Sequence, residues 1–351
     1  MQGAAYQNVM TSTAEQKILF RWRRAALEDH LRALTPGWRD QPLIIRSREL
    51  PFNASFVNYV RHHRLIDPTT GQQVDLVEKS IRKIGFLSSQ EARFYRAQGM
   101  LSESKRFRHP PCLGVIETPW ESIIFTAYVR GKPPRMQAIA RYLGHCIAEQ
   151  EHLSHQYLRS RPGREKPLLW SMDFFQPWFL LRPRFNFARY LDSFARLAHE
   201  DRMFLGIADR LKAFVPLTKR LAKQARSSQR CISHMDYLRK NLFVNRGHLH
   251  LIDWSEVKVG RIGFDGGAYL GSLFRRKDLA VFLSAEAQFI EGYLAGLPTQ
   301  YSHEEALRNL RYVFLLTALY HTLRPENICE HRTLGTLPLL LEKCEHLLTL
   351  L

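Results

Sequence analysis

The chain has 351 residues, 45% of them hydrophobic and 11% aromatic, which is the composition of a folded globular protein with a large core. No apolar stretch reaches the ~20 residues that a membrane-spanning helix needs. The net charge of +18 indicates an anionic partner, but zinc-finger spacing, aromatic-interleaved basic motifs and basic regions joined to heptads are missing, so specific nucleic-acid binding is not favoured.

The first predicted element is an amphipathic helix over residues 14–34, where apolar residues recur at helical spacing. Pro36 and Gly37 follow this helix and end it. Because lysine and arginine flank its apolar stripe, two interpretations stay open. The helix either packs on the domain that follows, or it associates with a membrane surface as a peripheral element.

The next two predicted elements are strands, over residues 56–61 and 74–81. In the second strand, Lys79 shares a face with Val77 and Ile81, because alternate residues of a strand point to the same side. Lys83 is the competing cation, but it lies beyond the apolar part of the strand. We therefore prefer Lys79 as the cation that faces a ligand.

A helix is predicted to begin at Ser88, because Ser88 and Glu91 have the spacing of a capping box, in which Glu91 folds back onto the Ser88 backbone. Two more strands are predicted over residues 110–115 and 122–129. The region from residue 43 to 130 is therefore expected to be rich in sheet.

Helices dominate the remainder of the chain, beginning with residues 136–157 and continuing from residue 279 to the end. Between them, residues 168–187 are unusually aromatic. This segment is open to two interpretations, since its rings either line a pocket for a substrate or form core beneath the neighbouring loop.

The most informative segment is His-Met-Asp-Tyr-Leu-Arg-Lys-Asn at residues 234–241, followed by Leu-Ile-Asp-Trp at 251–254. Residues 242–252 are predicted as two short strands around an Asn-Arg-Gly turn. Such a hairpin holds Asn241 and Asp253 at one end of paired strands. An Asp five residues before an Asn, with a second Asp after a strand, is the arrangement with which kinases position an acceptor hydroxyl and a nucleotide-bound metal.

Together these residues resemble the aminoglycoside phosphotransferase and choline kinase superfamily of small-molecule kinases. Its members carry His-x-Asp-x-x-x-x-Asn, then a strand ending in Ile-Asp-Phe or Ile-Asp-Trp, then a structural Asp in the next helix. The matching positions are His234, Asp236, Asn241, Asp253 and Asp265. The resemblance implies an α+β, bilobal protein kinase-like fold with a small antiparallel-sheet N-lobe and a large α-helical C-lobe. The implied regions are a helical extension over residues 1–42, the N-lobe over 43–130 and the C-lobe over 131–351.

The resemblance also implies a role for each of these residues. Asp236 is the expected catalytic residue, which accepts or orients the proton of the acceptor hydroxyl. Asn241 and Asp253 are the expected ligands of Mg²⁺. His234 and Asp265 are expected to brace the catalytic loop, residues 234–241.

Nucleotide binding is expected to involve Lys79, which in the family holds the inner phosphates of ATP. Residues 91–95 resemble the family's Glu-x-x-Phe-Tyr helix, in which the Glu pairs with the strand lysine. Glu91 is therefore expected to pair with Lys79, an arrangement that competes with the capping box and that the position of Glu91 favours.

Adenine is expected to contact the hinge between the lobes, because residues 125–131 resemble the family's hinge. The backbone of Ala127 and Val129 would read the adenine edge. The loop over the phosphates departs from the pattern, since residues 50–56 contain no glycine. Asn53 and Ser55 are the residues left to line the phosphates there.

The function implied is ATP-dependent phosphorylation of a hydroxyl on a small molecule or glycoconjugate, with a lipopolysaccharide-core sugar as one acceptor that would suit the basic surface. The alternative is a catalytically silent kinase-like protein that binds nucleotide or an anionic partner. The five cysteines are scattered without a Cys-x-x-Cys pair, which argues against a disulfide framework or a zinc site and favours a reduced, cytoplasmic compartment. The sequence does not indicate an oligomeric state.

Overall fold

The computed structural model describes residues 43–52, 56–83, 89–97, 104–160, 172–176 and 187–351, together with the single residues 29 and 32. Several sequence predictions lie outside these ranges. They are the helix over residues 14–34, the phosphate-loop residues Asn53 and Ser55, and most of the aromatic segment 168–187.

The strands of the N-terminal half are β1 (Ile44–Glu49), β2 (Val57–Ile66), β3 (Gln73–Arg82), β4 (Phe107–Arg108), β5 (Cys112–Glu117) and β6 (Glu121–Ala127). All except β4 belong to one antiparallel sheet in the order β1-β2-β3-β6-β5. Strand β3 lies at its centre, where Lys79 pairs with Val60 on one side and Ile124 on the other. Leu76, three residues before Lys79, points to the opposite face and packs with Leu65 and Phe125.

The helix that follows β3 is α1 (Gln90–Arg96), and its N-cap lies one residue after the predicted cap, Ser88. Its N-cap is Ser89, whose Oγ accepts a hydrogen bond from the Ala92 amide at 3.0 Å. Ser88 lies outside the described residues. Because Ser89 caps the helix, Glu91 is available for other contacts.

Helices make up most of the C-terminal half: α2 (Ala140–Ser160), α3 (Phe187–Glu200), α4 (Ile207–Leu211), α5 (Phe214–Arg226), α6 (Phe264–Arg276), α7 (Leu279–Gly296), α8 (His303–Leu323), α9 (Pro325–Thr333) and α10 (Leu337–Leu348). Their starts follow local signals, since Asp278 and Ser302 cap α7 and α8 through their side chains. Helices α6 and α8 pack very closely, because a Cβ on Gly267 would lie 2.4 Å from the Leu310 carbonyl oxygen. None of the helices in the described ranges is long and apolar enough to cross a membrane. The five cysteines are all free thiols.

Four short strands complete the fold: β7 (Arg230–Ser233), β8 (Leu242–Asn245), β9 (His248–Leu251) and β10 (Lys258–Arg261). Strands β8 and β9 form the predicted hairpin. Its turn residues Arg246 and Gly247 have φ angles of 48° and 77°, the positive values that a two-residue hairpin turn requires. The amide of Ile252 donates to the Asn241 carbonyl at 2.9 Å, so the hairpin brings Asn241 and Asp253 to the same end, as the sequence predicts.

The aromatic segment is described only over residues 172–176. Phe174 is fully buried, and its ring meets those of Phe264 and Tyr312 edge to face. The neighbouring Phe175 stacks on Tyr312 with the ring centroids 6.5 Å apart. For these two residues the core interpretation is therefore confirmed, while Trp170, Trp178 and Phe179 lie outside the described residues.

Candidate active site

A cleft with a volume of about 340 Å³ lies between the N-terminal sheet and the segment that carries Asn241 and Asp253. Apolar side chains of the sheet form one wall, among them Val60, Val77 and Ile124. Among its polar lining groups, Lys79 contacts both Glu91 and Asp253, and this cluster is termed here the polar end of the cleft. A mainly apolar cavity with a few convergent polar groups is typical of sites that bind small molecules and cofactors.

Lys79 lies in this cleft, as predicted, and its Nζ is 2.7 Å from Glu91 Oε2 and 2.7 Å from Asp253 Oδ1. Burial alone would lower the pKa of Lys79, but the two carboxylates outweigh it and raise that pKa above its usual value. Lys83 instead pairs with Glu117 at 2.6 Å and does not line the cleft. The structure thus brings Lys79 and Glu91 together, and Glu91 contacts the cation as expected.

Asp236 is linked to the cleft through Asn241. The Nδ2 atom of Asn241 donates to Asp236 Oδ2 and to the Asp236 carbonyl oxygen, each at 3.0 Å. This orientation leaves the Oδ1 atom of Asn241 to accept from a ligand. Burial, together with the charges of Asp253 and Glu256, raises the pKa of Asp236 to about 6.

Backbone strain is concentrated beside these carboxylates. Among described residues other than glycine, positive φ angles occur at Met235 (66°), at Asp253 (64°) and at the hairpin residue Arg246. Such conformations cost roughly 1–3 kcal/mol each and persist where the surrounding structure holds them. Met235 precedes Asp236 directly, so the strain falls on the two residues that set the direction of the Asp236 and Asp253 side chains.

Asp265 braces the catalytic loop from beneath. Its carboxylate accepts hydrogen bonds from the amides of His234 and Met235, both at 3.0 Å, and from the Tyr237 hydroxyl at 3.1 Å. The burial of Asp265 raises its pKa to about 6. By accepting these hydrogen bonds, Asp265 holds the amides of His234 and Met235 in place, and this accounts for the strained backbone at Met235.

His234 acts as a second brace. Burial lowers its pKa to about 4, so the ring is neutral near pH 7. The Asp236 amide lies 3.2 Å from His234 Nδ1, which must accept, and this leaves Nε2–H to donate to the Ile252 carbonyl at 3.0 Å. The imidazole therefore ties the catalytic loop to the strand that precedes Asp253.

Trp254 couples helix α1 to the same loop. Its ring stacks on Phe94 with a centroid distance of 3.8 Å and an interplanar angle of 13°. Its edge meets His234, with the centroids 4.6 Å apart. Trp254 thus packs α1, which carries Glu91, against the catalytic loop.

Two carboxylates of the site are not identified from the sequence. Glu151 of α2 is fully buried and accepts from the amides of Gly263 and Asp265 at 2.9 and 3.2 Å, so it holds the start of α6 and with it Asp265. The sequence feature that could have identified Glu151 is its position in the apolar stripe of α2, four residues after Ile147, where an acid is unexpected. The other is Glu256, which adds negative charge beside Asp236 and bonds the buried Lys258 at 3.0 Å.

The residues predicted to contact adenine, Ala127 and Val129, both line the cleft. The Ala127 amide donates to the Pro111 carbonyl at 3.1 Å, and the Tyr128 amide donates to the Asp75 carbonyl at 3.1 Å. Among described residues no acceptor lies opposite the Val129 amide. Of these three amides, Val129 is therefore the one that is left to bind a ligand.

Comparison with known proteins adds a family and a fold. A sequence model of the Phosphotransferase enzyme family matches residues 129–306, just over half of the chain. Choline kinase from Cryptosporidium parvum Iowa II is 14% identical with a TM-score of 0.54, and the match covers 91% of this chain and 94% of that one. An amicoumacin kinase in complex with AMP-PNP, Ca²⁺ and Ami is 12% identical with a TM-score of 0.57, over 85% of this chain and 88% of that one. No curated protein matches the chain in sequence.

Proposed function

We propose that this chain, which belongs to the Phosphotransferase enzyme family, transfers a phosphoryl group from ATP to a hydroxyl of a small molecule or glycoconjugate. Its fold is a bilobal, kinase-like α+β fold. The observation that carries the proposal is the convergence of Lys79, Asn241 and Asp253 at one end of the cleft, with Asp236 hydrogen-bonded to Asn241. In this proposal the N-lobe spans residues 43–130 and the C-lobe residues 131–351.

In the proposed complex the adenine ring lies between the apolar walls of the cleft. The Val129 amide donates to the adenine edge, while Ala127 contributes its carbonyl and apolar surface. Lys79 contacts the inner phosphates and Glu91 holds its ammonium in position. Support comes from the amicoumacin kinase, which has a similar fold and is known in complex with AMP-PNP.

The donors at the polar end suit Mg²⁺. No group of three or more His, Cys, Asp or Glu side chains that could hold a metal ion by themselves occurs in the described ranges. Mg²⁺, however, is commonly bound by one or two protein oxygens together with substrate phosphates and water. The Oδ1 atom of Asn241 and the carboxylate of Asp253 are such oxygens. Burial alone would raise the pKa of Asp253, but Lys79 lowers it to about 2, so this ligand is ionised at neutral pH. A bound Mg²⁺ would neutralise phosphate charge there.

Asp236 would position the acceptor hydroxyl and accept its proton. With a pKa of about 6 it is mainly ionised at pH 7 yet basic enough to take a proton. The braces at His234 and Asp265 fix its carboxylate, so positioning supplies much of the rate. Phosphoryl transfer asks for little covalent chemistry from the protein beyond this.

The test is a thermal melt of the full chain with ATP, with and without Mg²⁺, beside Asp253→Asn. Asparagine suits the variant because it tolerates the positive φ at this position. A ligand at about a hundred times its dissociation constant adds roughly 2.7 kcal/mol of stability. We expect Mg²⁺-dependent stabilisation that Asp253→Asn abolishes and that Asp192→Asn, an exposed control on α3, retains.

The alternative function, a catalytically silent protein that binds an anionic partner, makes the opposite prediction. It is motivated by the glycine-free segment at residues 50–56 and by the net charge of +18. In that case neither ATP nor GTP changes the melting temperature at any Mg²⁺ concentration. Such a result would withdraw the proposed function.

A further inference from the structure

The catalytic loop borders two cavities. Lys240 and Asn241 line the cleft described above, whereas Tyr237, Leu238 and Arg239 line a second cavity of about 470 Å³. These three residues follow Asp236 directly in the sequence, while Asp236 itself is not among the lining residues of either cavity. The remaining walls of the second cavity are residues 135–137, just after the hinge, and the C-terminal end of α6.

The walls of this second cavity, termed here the basic cavity, carry positive charge only. Its cationic lining residues are Arg135, Arg239, Arg276 and Lys277. No Asp or Glu occurs among its described lining residues, and none of the four cations forms an ion pair within the described ranges. Like charges around one concave surface repel one another and concentrate anions.

The three segments around the basic cavity are fixed to one another. Arg239 Nε donates to the Pro134 carbonyl at 3.1 Å, and the Tyr269 hydroxyl of α6 donates to the Met136 carbonyl at 2.9 Å. The shape of the cavity is therefore set by the fold rather than by exposed side chains alone. The backbone of these segments is thus held in place, while the arginine side chains that carry the charge are exposed at the rim.

A simpler role for the cations explains only part of the set. Arginines in the last turn of α6 complement the negative end of the helix dipole, an effect of roughly 0.3–1 kcal/mol each. This effect explains the presence of both Arg275 and Arg276 in the last turn of α6. It does not account for Arg135 and Arg239, which come from other segments and converge on the same cavity.

We propose that the basic cavity binds an oxyanion, a phosphate or carboxylate, carried by the acceptor whose hydroxyl is phosphorylated. This inference rests on the proposed function and narrows it from any hydroxyl compound to an anionic one. Guanidinium groups suit the assignment because they bind phosphate and carboxylate through paired hydrogen bonds. The acceptor would then lie across the catalytic loop, with its hydroxyl at Asp236 and its anionic group between Arg239 and Arg276.

The experiment is isothermal titration of the full chain, at fixed ionic strength, with three sugars that differ only in charge-bearing groups. These are glucose 6-phosphate, glucuronate and uncharged glucose. We expect saturable binding of one or both charged sugars and none of glucose. Arg276→Glu and Arg135→Glu should weaken it at least tenfold, and Arg276→Gln by less. Arg275→Glu is the matched control, because it reverses an adjacent charge on the same helix turn without lining the basic cavity.

The stronger of the two charged sugars identifies the preferred oxyanion. Equal weakening by Arg275→Glu and Arg276→Glu would overturn the proposal, since it would show attraction to the general surface charge. Absence of saturable binding by either charged sugar would overturn it as well. The nucleotide melt separates this outcome from failure of the proposed function. If the chain binds nucleotide but no charged sugar, only the assignment of the basic cavity is wrong. If it binds a charged sugar but no nucleotide, the proposed kinase function is wrong and the basic cavity remains an oxyanion site.

Discussion

Lys79 and Asp253 are 174 residues apart in the sequence, yet Lys79 Nζ lies 2.7 Å from Asp253 Oδ1. The same ammonium contacts Glu91 at 2.7 Å, so one cation from the sheet neutralises carboxylates of α1 and of the catalytic segment. Both carboxylates are largely shielded from water, with side-chain exposures of 3% for Glu91 and 25% for Asp253. Lys79, Glu91 and Asp253 therefore tie the N-terminal sheet to the segment that follows β9, and the charge balance of the three depends on Lys79.

Replacing Lys79 by methionine should destabilise the protein in the absence of nucleotide. Two carboxylates would then face each other without a counter-ion, and breaking a buried ion pair in this way costs about 3 kcal/mol or more. Urea unfolding of Lys79→Met, Asp253→Asn and the double variant measures the coupling. If the two single effects simply add, the ion pair between Lys79 and Asp253 contributes nothing to stability, contrary to this prediction.

Asp236→Asn should reduce turnover by roughly 10²- to 10⁴-fold, the usual contribution of a positioned general base. The amide oxygen of the new side chain can still accept from Asn241, so the loop keeps its shape. Nucleotide stabilisation in a thermal melt should therefore be retained. Near-normal turnover would remove Asp236 from the mechanism, and loss of nucleotide binding would show that its charge serves the cleft instead.

Asp265→Ala should destabilise the fold by several kcal/mol and disorder the catalytic loop. It leaves two amides and the Tyr237 hydroxyl buried without an acceptor, at roughly 1–3 kcal/mol each. Asp265→Asn keeps one acceptor oxygen and should lie between the wild type and the alanine variant. Chemical denaturation ranks the three proteins. Equal stability of Asp265→Ala and the wild type would contradict the bracing role.

The hairpin, and with it the positions of Asn241 and Asp253, could be predicted from the sequence. Turn residues and strand periodicity determine such a structure within about ten residues. The Lys79–Glu91 contact followed from resemblance, since periodicity gives the face of Lys79 but not its partner. Glu151 was missed because the amides that donate to it lie 112 and 114 residues away, at the start of α6. The basic cavity was missed for the same reason, since its cations come from three segments that only the fold brings together.

Backbone-mediated features were also beyond the sequence. The side chains of Ala127 and Val129 do not reveal which amide is already bonded, and only the structure shows that the Ala127 amide donates to Pro111. The strain at Met235 has the same character, because methionine does not indicate a positive φ. Such features arise where tertiary contacts override local preference.

Gly131→Ala should destabilise the hinge more than Gly71→Ala destabilises its turn. Both glycines have positive φ, 155° and 68°, but a Cβ on Gly131 would lie 2.6 Å from the Val244 carbonyl oxygen, whereas nothing lies within 4 Å at Gly71. The control therefore measures conformational strain alone, about 1 kcal/mol. The excess loss at Gly131, read from melting temperatures, reports the close contact with the Val244 carbonyl together with the greater strain of alanine at φ 155°. Equal losses would mean that the backbone there adjusts freely.

Asp75→Asn should remove part of the acid sensitivity of the N-terminal sheet. Burial alone would raise the pKa of Asp75, but hydrogen bonds from Arg64, Arg130 and His62 outweigh it and lower that pKa to about 2. The pKa of an unfolded aspartate is near 3.9, so the folded protein binds this proton less readily. The stabilisation is therefore complete above about pH 4 and is lost as the pH falls towards 2. Unfolding free energies measured from pH 6 to pH 2 should show the wild type's advantage over Asp75→Asn shrinking across that interval. The unfolding free energy of the control Asp192→Asn should follow that of the wild type. If the difference in unfolding free energy between the wild type and Asp75→Asn stays constant at all pH values, the effect is due to lost packing rather than to charge.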